Sequence, residues 1–382
     1  MILGIDASNI RAGGGATHLY SLLGSAEPEC FGFQKVILWS GSRNAKRIPS
    51  LPWLQVIHDP LLDGPLPLRL SWQQFFLPRL LRKWGCNILF SPGGIIPLNL
   101  RIQTVAVSQN MRPFDDQALS SYRLKNLDKR CHLRALRIMQ SKSFERARGV
   151  IFLTEFAKRV ILQKVKGLKA KTVVIPHGIS PMFFNAPRPA SSIQKCSREF
   201  PFRLLYVSGV QVYKNQWVVA EALSILRSKG YPVTIEFVGP PHLGMRRLNA
   251  TLKKLDPEST YLRFRGPVPY LLLPRLYAEA DGFVFASSCE NMPNILIEAM
   301  ASGLPIACSN RGPMPEILGE AGIYFDPEDA TSISKVLEWF LNDEGLRNRC
   351  ARRAFEAAHK YSWERCAKET FCFLAMICKE NA

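Results

Sequence analysis

The chain has 382 residues, 47% of them apolar, and a formal net charge of +19, enough for two domains with packed cores. No run of about 18 uncharged apolar residues occurs, which excludes a membrane-spanning helix, and the opening MILGIDASN enters a strand at once, so no secretory leader is expected. The ten cysteines show no Cys-x-x-Cys pair and no metal-ligand spacing, which argues against a disulfide framework or a zinc site and for reduced, mostly buried thiols in a cytoplasmic protein.

Short apolar runs alternate with helical periodicity along the chain, the pattern of an α/β fold with parallel sheets. In the N-terminal half the predicted strands are residues 1–5, 34–39, 54–58, 87–90, 102–107, 149–153 and 172–175, with helices near 16–24, 71–84, 124–148 and 154–166. Residues 179–201, ISPMFFNAPRPASSIQKCSREFP, are rich in Pro, Ser and charge without periodicity and read as an interdomain linker. The alternation then resumes, with strands at 203–207, 233–238, 261–264, 282–286, 304–308 and 323–325. Helices fall near 215–229, 244–255, 270–280, 293–301, 328–341 and 345–359, and a last helical stretch covers 362–378. The expected organisation is an N-terminal Rossmann-like domain over 1–178, a linker over 179–201, a second Rossmann-like domain over 202–360 and a C-terminal helix within 361–382.

Charge is uneven. Residues 101–170 hold sixteen Lys/Arg against five Asp/Glu, a net +11. Arg123, Lys125, Lys129, Arg130, Arg134, Arg137, Lys142, Arg146 and Arg148 share one predicted helix, where Leu127, Leu133, Leu136, Ile138, Met139 and Phe144 interleave with them. That pattern suits an anionic membrane surface. No recognised nucleic-acid-binding motif accompanies the charge.

Several stretches carry chemistry. In SSCENMPNILIEAMASGLP (residues 287–305), Glu290 and Glu298 stand eight positions apart. Pro293 suits a helix start, and Ser302-Gly303 a helix stop. One acid then lies in a strand-to-helix loop and the other inside the helix. Amides at a helix start attract phosphate, and carboxylates grip sugar hydroxyls. Gly13-Gly14-Gly15 follows the first strand and permits close backbone approach by a ligand. Lys214, in SGVQVYKN after the first strand of the second half, sits near a helix start, where it can clamp a diphosphate. Gln109, in SQNMRPFD, offers an amide that hydrogen-bonds hydroxyls but cannot act as an imidazole base. No Asp-x-Asp occurs in the chain, which argues against a metal-bridged donor; Asp115-Asp116 reads as loop surface.

Residues 287–305 resemble the donor-binding signature of retaining glycosyltransferases of the GT-B fold, the group often called family 4 or glycosyltransferase group 1. In that family the second acid of E-x7-E also precedes a small-residue run and Gly-Leu-Pro. The resemblance is dense over residues 202–330 and sparse before them. Val174-Ile175-Pro176-His177-Gly178-Ile179 resembles the family's hinge motif, with His177 where Asn is commoner. Asn310 to Glu316 matches its Gly-x-x-Pro-Glu turn. The chain departs from the family at three further points: Gly209 where many members carry Arg, Gln109 where many carry His, and Pro293 inside the key motif.

The resemblance implies an α/β GT-B architecture: two Rossmann-like domains with parallel sheets facing a central cleft, the last helix crossing back onto the N-terminal domain. It implies a retaining, metal-independent glycosyltransferase that uses a nucleotide-diphosphate sugar as co-substrate and no other cofactor. The acceptor would be a saccharide or lipid-linked saccharide, in cell-surface polysaccharide or lipopolysaccharide assembly at the inner face of the membrane. Glu290, Lys214 and Gln109 are the implied catalytic residues. Glu298, which binds ribose in the family, is joined in donor binding by Gly14, Gly15, Gly209, Asn291, Met292, Asn294 and Ile295. Two other readings stay open: a GT-B sugar-nucleotide epimerase or phosphorylase, and a non-catalytic basic module binding membrane or nucleic acid on a GT-B frame.

Overall fold

The structure, a computed structural model, describes residues 1–11, 13–117 and 127–380. Arg123, Lys125 and the first residues of the predicted basic helix lie outside them. The chain divides into two compact units, residues 1–178 with 361–382, and residues 179–360.

The first unit is built on a seven-stranded parallel sheet. Its strands are β1 (Ile2–Asp6), β2 (Lys35–Ser40), β3 (Leu54–His58), β4 (Ile88–Ser91), β5 (Gln103–Ser108), β6 (Gly149–Phe152) and β7 (Lys171–Val174), in the order β3-β2-β1-β4-β5-β6-β7. Leu3, Ile5, Val36, Ile37, Leu38, Leu89, Phe90, Val105 and Val150 are fully buried. These strands read as near-continuous apolar runs because helices cover both sheet faces. The closing helix, Trp363–Lys379, packs on the helix Gly14–Gly24 and against β4 and β5. Gly178 permits this chain crossing, since a Cβ there would stand 2.2 Å from the Trp363 amide nitrogen.

The second unit has a six-stranded parallel sheet: β8 (Phe202–Val207), β9 (Val233–Val238), β10 (Leu262–Gly266), β11 (Gly282–Phe285), β12 (Ile306–Ser309) and β13 (Ile323–Phe325), in the order β10-β9-β8-β11-β12-β13. In each sheet the strand order reverses once, between β1 and β4 and between β8 and β11. Open parallel sheets bind ligands beyond the carboxyl ends of the strands at such reversals.

Three details differ from the sequence reading. Segment 179–201 is packed onto the second unit rather than loose. Phe183 is buried, the Asn185 amide donates to Ala301 O at 3.0 Å, and the buried Arg347 donates to Ser191 O at 2.6 Å. Much of its polar surface is still exposed to water. The helix over 71–84 is three pieces, Leu66–Ser71, a π-type turn Trp72–Phe76 and Leu77–Lys83, because Pro78 cannot donate to the preceding turn. In the basic helix, described from Leu127 to Arg146, Leu133 and Phe144 face the core while Ile138 is 57% exposed. Two of the interleaved apolar residues thus serve the core, while Leu136 and Met139 are half-buried.

Candidate active site

The loops after β8 and β11 meet at the reversal point of the second sheet. After β8 a 3-10 turn, Val212–Lys214, leads into the helix Gln216–Ser228 through Asn215, which takes the left-handed conformation (φ 53°). Asn is among the few non-glycine residues that tolerate it. The Asn215 side chain then donates to Ala286 O at 3.0 Å, Tyr206 O–H donates to Lys214 O, and the Ser288 amide donates to Tyr213 O at 2.8 Å. The two loops are stitched together before any ligand arrives.

This stitching brings Lys214 and Glu290 into contact. Lys214 Nζ donates to Glu290 Oε1, and Ser287 Oγ donates to the same oxygen at 2.6 Å. Both side chains are nearly buried, 10% and 13% exposed, and the ammonium also lies 5.0 Å from the Phe285 ring centre. An ammonium has three donors, so the pair can hold an acceptor of negative charge while Glu290 keeps Lys214 aimed.

The motif's helix runs Asn294–Ala301, with Pro293 as the residue before it (φ −79°, ψ 103°). Asn291 and Met292 are buried, whereas Asn294 and Ile295 are half-buried. Glu298, the second acid of the motif, lies inside this helix. It is 3% exposed, and Tyr277 O–H donates to its Oε2 at 3.0 Å. Burial pushes its carboxyl up to about 7, with the Tyr277 bond opposing. Its place in mid-helix turns it toward the neighbouring helix Leu273–Glu279.

At Gly209 a Cβ would meet the His242 ring at 2.8 Å. The exposed His242 thus occupies the space a longer side chain would need. Glu316 lies exposed in the short helix Met314–Leu318, and Arg311 reaches Asp326 at 3.0 Å.

In the first unit, Gly13 (φ 73°) turns the chain after β1 into the helix Gly14–Gly24. A Cβ on Gly14 would meet open space, but one on Gly15 would stand 2.9 Å from Gln109 Oε1. Gln109 Nε2 donates to His18 Nδ1 at 2.6 Å. His18 is buried and its ring stacks on that of His177, centres 4.7 Å apart, with Trp363 beside both. Burial, then the nearby His177, holds the His18 imidazole well below its ordinary pKa. It is therefore neutral and accepts at Nδ1. His177, read from sequence as a turn residue, is part of this stack. His18, Ser287 and Tyr277 were missed: His18 and Ser287 lie inside motifs already noted, whereas nothing local marks Tyr277.

Asp116 binds Arg137 at 3.2 Å and Lys164 at 2.6 Å, so it anchors surface cations. Among the described residues no cluster of three metal-ligating side chains occurs, and no helix is long and apolar enough to cross a membrane.

Residues 190–357 match the glycosyl transferases group 1 family. This segment is similar to that family over fewer than half of the chain's residues. The matched segment contains all of β8 to β13, and with them Lys214, Glu290 and Glu298. The O-antigen chain mannosyltransferase B of Escherichia coli is 38% identical over 110 residues, 29% of each chain. The chain spans less than two thirds of the length of the curated relatives it matches. Sucrose-phosphate synthase from Thermosynechococcus elongatus superimposes with a TM-score of 0.73 at 17% identity, covering 97% of both chains. Anabaena HepE, solved in complex with UDP, gives 0.69 at 17% identity over 98% of this chain and 99% of its own. These likenesses establish the GT-B fold: two Rossmann-like α/β domains with parallel sheets.

Proposed function

We propose that the protein transfers a sugar, with retention of anomeric configuration, from a nucleotide-diphosphate sugar to a saccharide or lipid-linked saccharide acceptor. The Lys214–Glu290 pair carries this reading. It stands at the sheet reversal of the matched segment, where parallel sheets bind ligands.

In this reading Lys214, with backbone amides of Asn291, Met292, Asn294 and Ile295, takes the diphosphate, Pro293 having no N–H to give. Glu290 accepts from hydroxyls of the transferred sugar, and Glu298 from the ribose hydroxyls. The bond between the anomeric carbon and the diphosphate oxygen breaks, and its electron pair leaves with the diphosphate. The acceptor oxygen bonds the same carbon from the same face, and its proton passes to the departing diphosphate. No side chain acts as nucleophile, so the rate gain comes from positioning and from charge stabilisation by Lys214. Stabilisation of the diphosphate then needs no bridging metal.

The acceptor belongs to cell-surface polysaccharide or lipopolysaccharide assembly, a reading supported by the O-antigen relative. The cation excess of residues 101–170 favours peripheral contact with an anionic membrane on the cytoplasmic side. The test is turnover of a panel of sugar nucleotides with product analysis. Release of the nucleoside diphosphate with transfer or slow hydrolysis of the sugar supports a transferase. Conversion to a second sugar nucleotide without release identifies an epimerase.

A further inference from the structure

A cavity of about 740 Å³ opens at the amino edge of the first sheet. Gly13–Gly15 and Gln109 follow the carboxyl ends of β1 and β5, so this cavity lies at the opposite edge of the sheet from them. Arg101 precedes β5, Arg148 precedes β6, and Arg146 ends the basic helix; all three line the cavity, and all are exposed. Ile96, Leu100 and Ile102 add apolar surface to the lining. No carboxylate lines it, and none of the three arginines has an ion-pair partner among the described residues.

The second unit offers an internal comparison. Its cavity at the amino edge of its own sheet is also rich in arginine, but Glu199, Glu236 and Glu279 line it too. There Arg265 pairs with Glu236 at 2.9 Å and Arg203 with Asp281 at 3.1 Å. Arginines gathered for structural reasons are thus balanced by acids in one unit and left unbalanced in the other. Helix-end placement accounts for Arg146, which donates to Leu98 O at 3.2 Å. It does not account for Arg101 or Arg148. Arg148 is held by its own backbone amide, bonded to Thr104 O at 2.9 Å, so the guanidinium is presented from a rigid strand start.

We propose that this pocket binds a phosphate-ester anion, its phosphate against Arg101, Arg146 and Arg148 and its organic part on Ile96, Leu100 and Ile102. Planar guanidinium groups bind phosphate bidentately and are the usual choice for such recognition. The ligand is either a soluble phosphate ester or the headgroup of an anionic lipid. The site is independent of the donor site and does not rest on the proposed transfer reaction.

The experiment measures binding of two probes to the full chain: inorganic pyrophosphate by calorimetry, and vesicles of phosphatidylcholine with or without phosphatidylglycerol by flotation. The probes are repeated with Arg101→Glu/Arg148→Glu, with the milder Arg101→Gln/Arg148→Gln, and with Lys253→Glu/Lys254→Glu as a control of equal charge change on the exposed face of another helix. The pyrophosphate titrations are repeated in a Lys214→Ala background, which alters the donor site and leaves the cavity untouched. Pyrophosphate binding that survives Lys214→Ala, falls at least tenfold in both arginine variants and is unchanged in the lysine control supports a soluble ester. Vesicle binding with that same pattern, without pyrophosphate binding, supports a lipid headgroup. Binding of neither probe, or an equal loss in the lysine control, overturns the proposal.

Discussion

Lys214 and Glu290, 76 positions apart in sequence, form an ion pair inside the second unit, with Ser287 donating to the same carboxylate oxygen. Because each side chain is at most 13% exposed, truncating one leaves the other as a poorly solvated charge. Lys214→Ala and Glu290→Ala should each destabilise the protein on the order of 3 kcal/mol. The double substitution should cost less than the sum of the two, and urea unfolding of the four proteins closes the cycle. Strict additivity would show that the pair does not exist in solution.

Glu298 links stability to pH. Its carboxyl is raised from 4.5 to about 7 by burial, so between those values the folded state holds a proton that the unfolded state has lost. Stability from this group is therefore present below about pH 4.5 and declines as pH rises to about 7, by about 3 kcal/mol in total. Glu298→Gln keeps an acceptor for Tyr277 and removes the titration. Melting temperatures of the two proteins should converge near pH 4.5 and diverge in favour of the variant above pH 7. Parallel curves would contradict the buried carboxyl.

The same group sets the pH dependence of nucleotide affinity in the proposed function. Ribose hydroxyls donate best to the ionised form, so nucleoside diphosphate binding should tighten as pH rises through about 7 in the wild type. In Glu298→Gln it should be weaker and flat. Calorimetry at several pH values reads this directly.

Much of this arrangement was legible in the sequence. Both sheets follow from the apolar runs, because strands covered on both faces need no alternation to be seen. Lys214, Glu290 and Glu298 stood out through their spacing from strand ends and helix starts. The partners did not. Tyr277 lies 21 positions before Glu298 on a different helix, and Gln109 meets His18 across 91 positions. Segment 179–201 looked like a linker because composition reports solvation, whereas its contacts with the second unit are made by distant residues, such as Arg347 with Ser191 across 156 positions. The basic helix showed its cations clearly, but which apolar residues turn inward depends on the sheet beneath it.

His18 should reveal its bond to Gln109 through acid sensitivity. The folded state keeps this imidazole neutral because burial lowers its pKa, and the unfolded chain takes up a proton below about pH 6.5. The unfolded state therefore binds more protons there, and stability falls as pH drops below that value. His18→Phe preserves a ring against His177 but removes the acceptor for Gln109, at a cost of about 1–3 kcal/mol at neutral pH. Its melting temperature should depend less on pH between 5 and 6.5 than that of the wild type.

Arg347 is fully buried and donates to Phe340 O, Leu341 O and Ser191 O at 2.6, 2.5 and 2.6 Å. Arg347→Met fills similar volume and leaves three carbonyls without their donor. A loss of roughly 3 kcal/mol or more is expected, together with faster proteolysis within residues 179–201. Retention of both stability and protease resistance would mean the segment is held by other contacts.

The most direct test of the donor site is turnover of a sugar nucleotide, first identified by thermal shift, in wild type and Lys214→Ala. Charge on the leaving diphosphate grows as its bond to the sugar breaks, so the variant should lose about a hundredfold or more in kcat while donor affinity falls far less. Equal losses in kcat and affinity would reduce Lys214 to a ground-state contact. Unchanged turnover, or no sugar nucleotide bound at all, would contradict the assignment of the Lys214–Glu290 pair as the donor site.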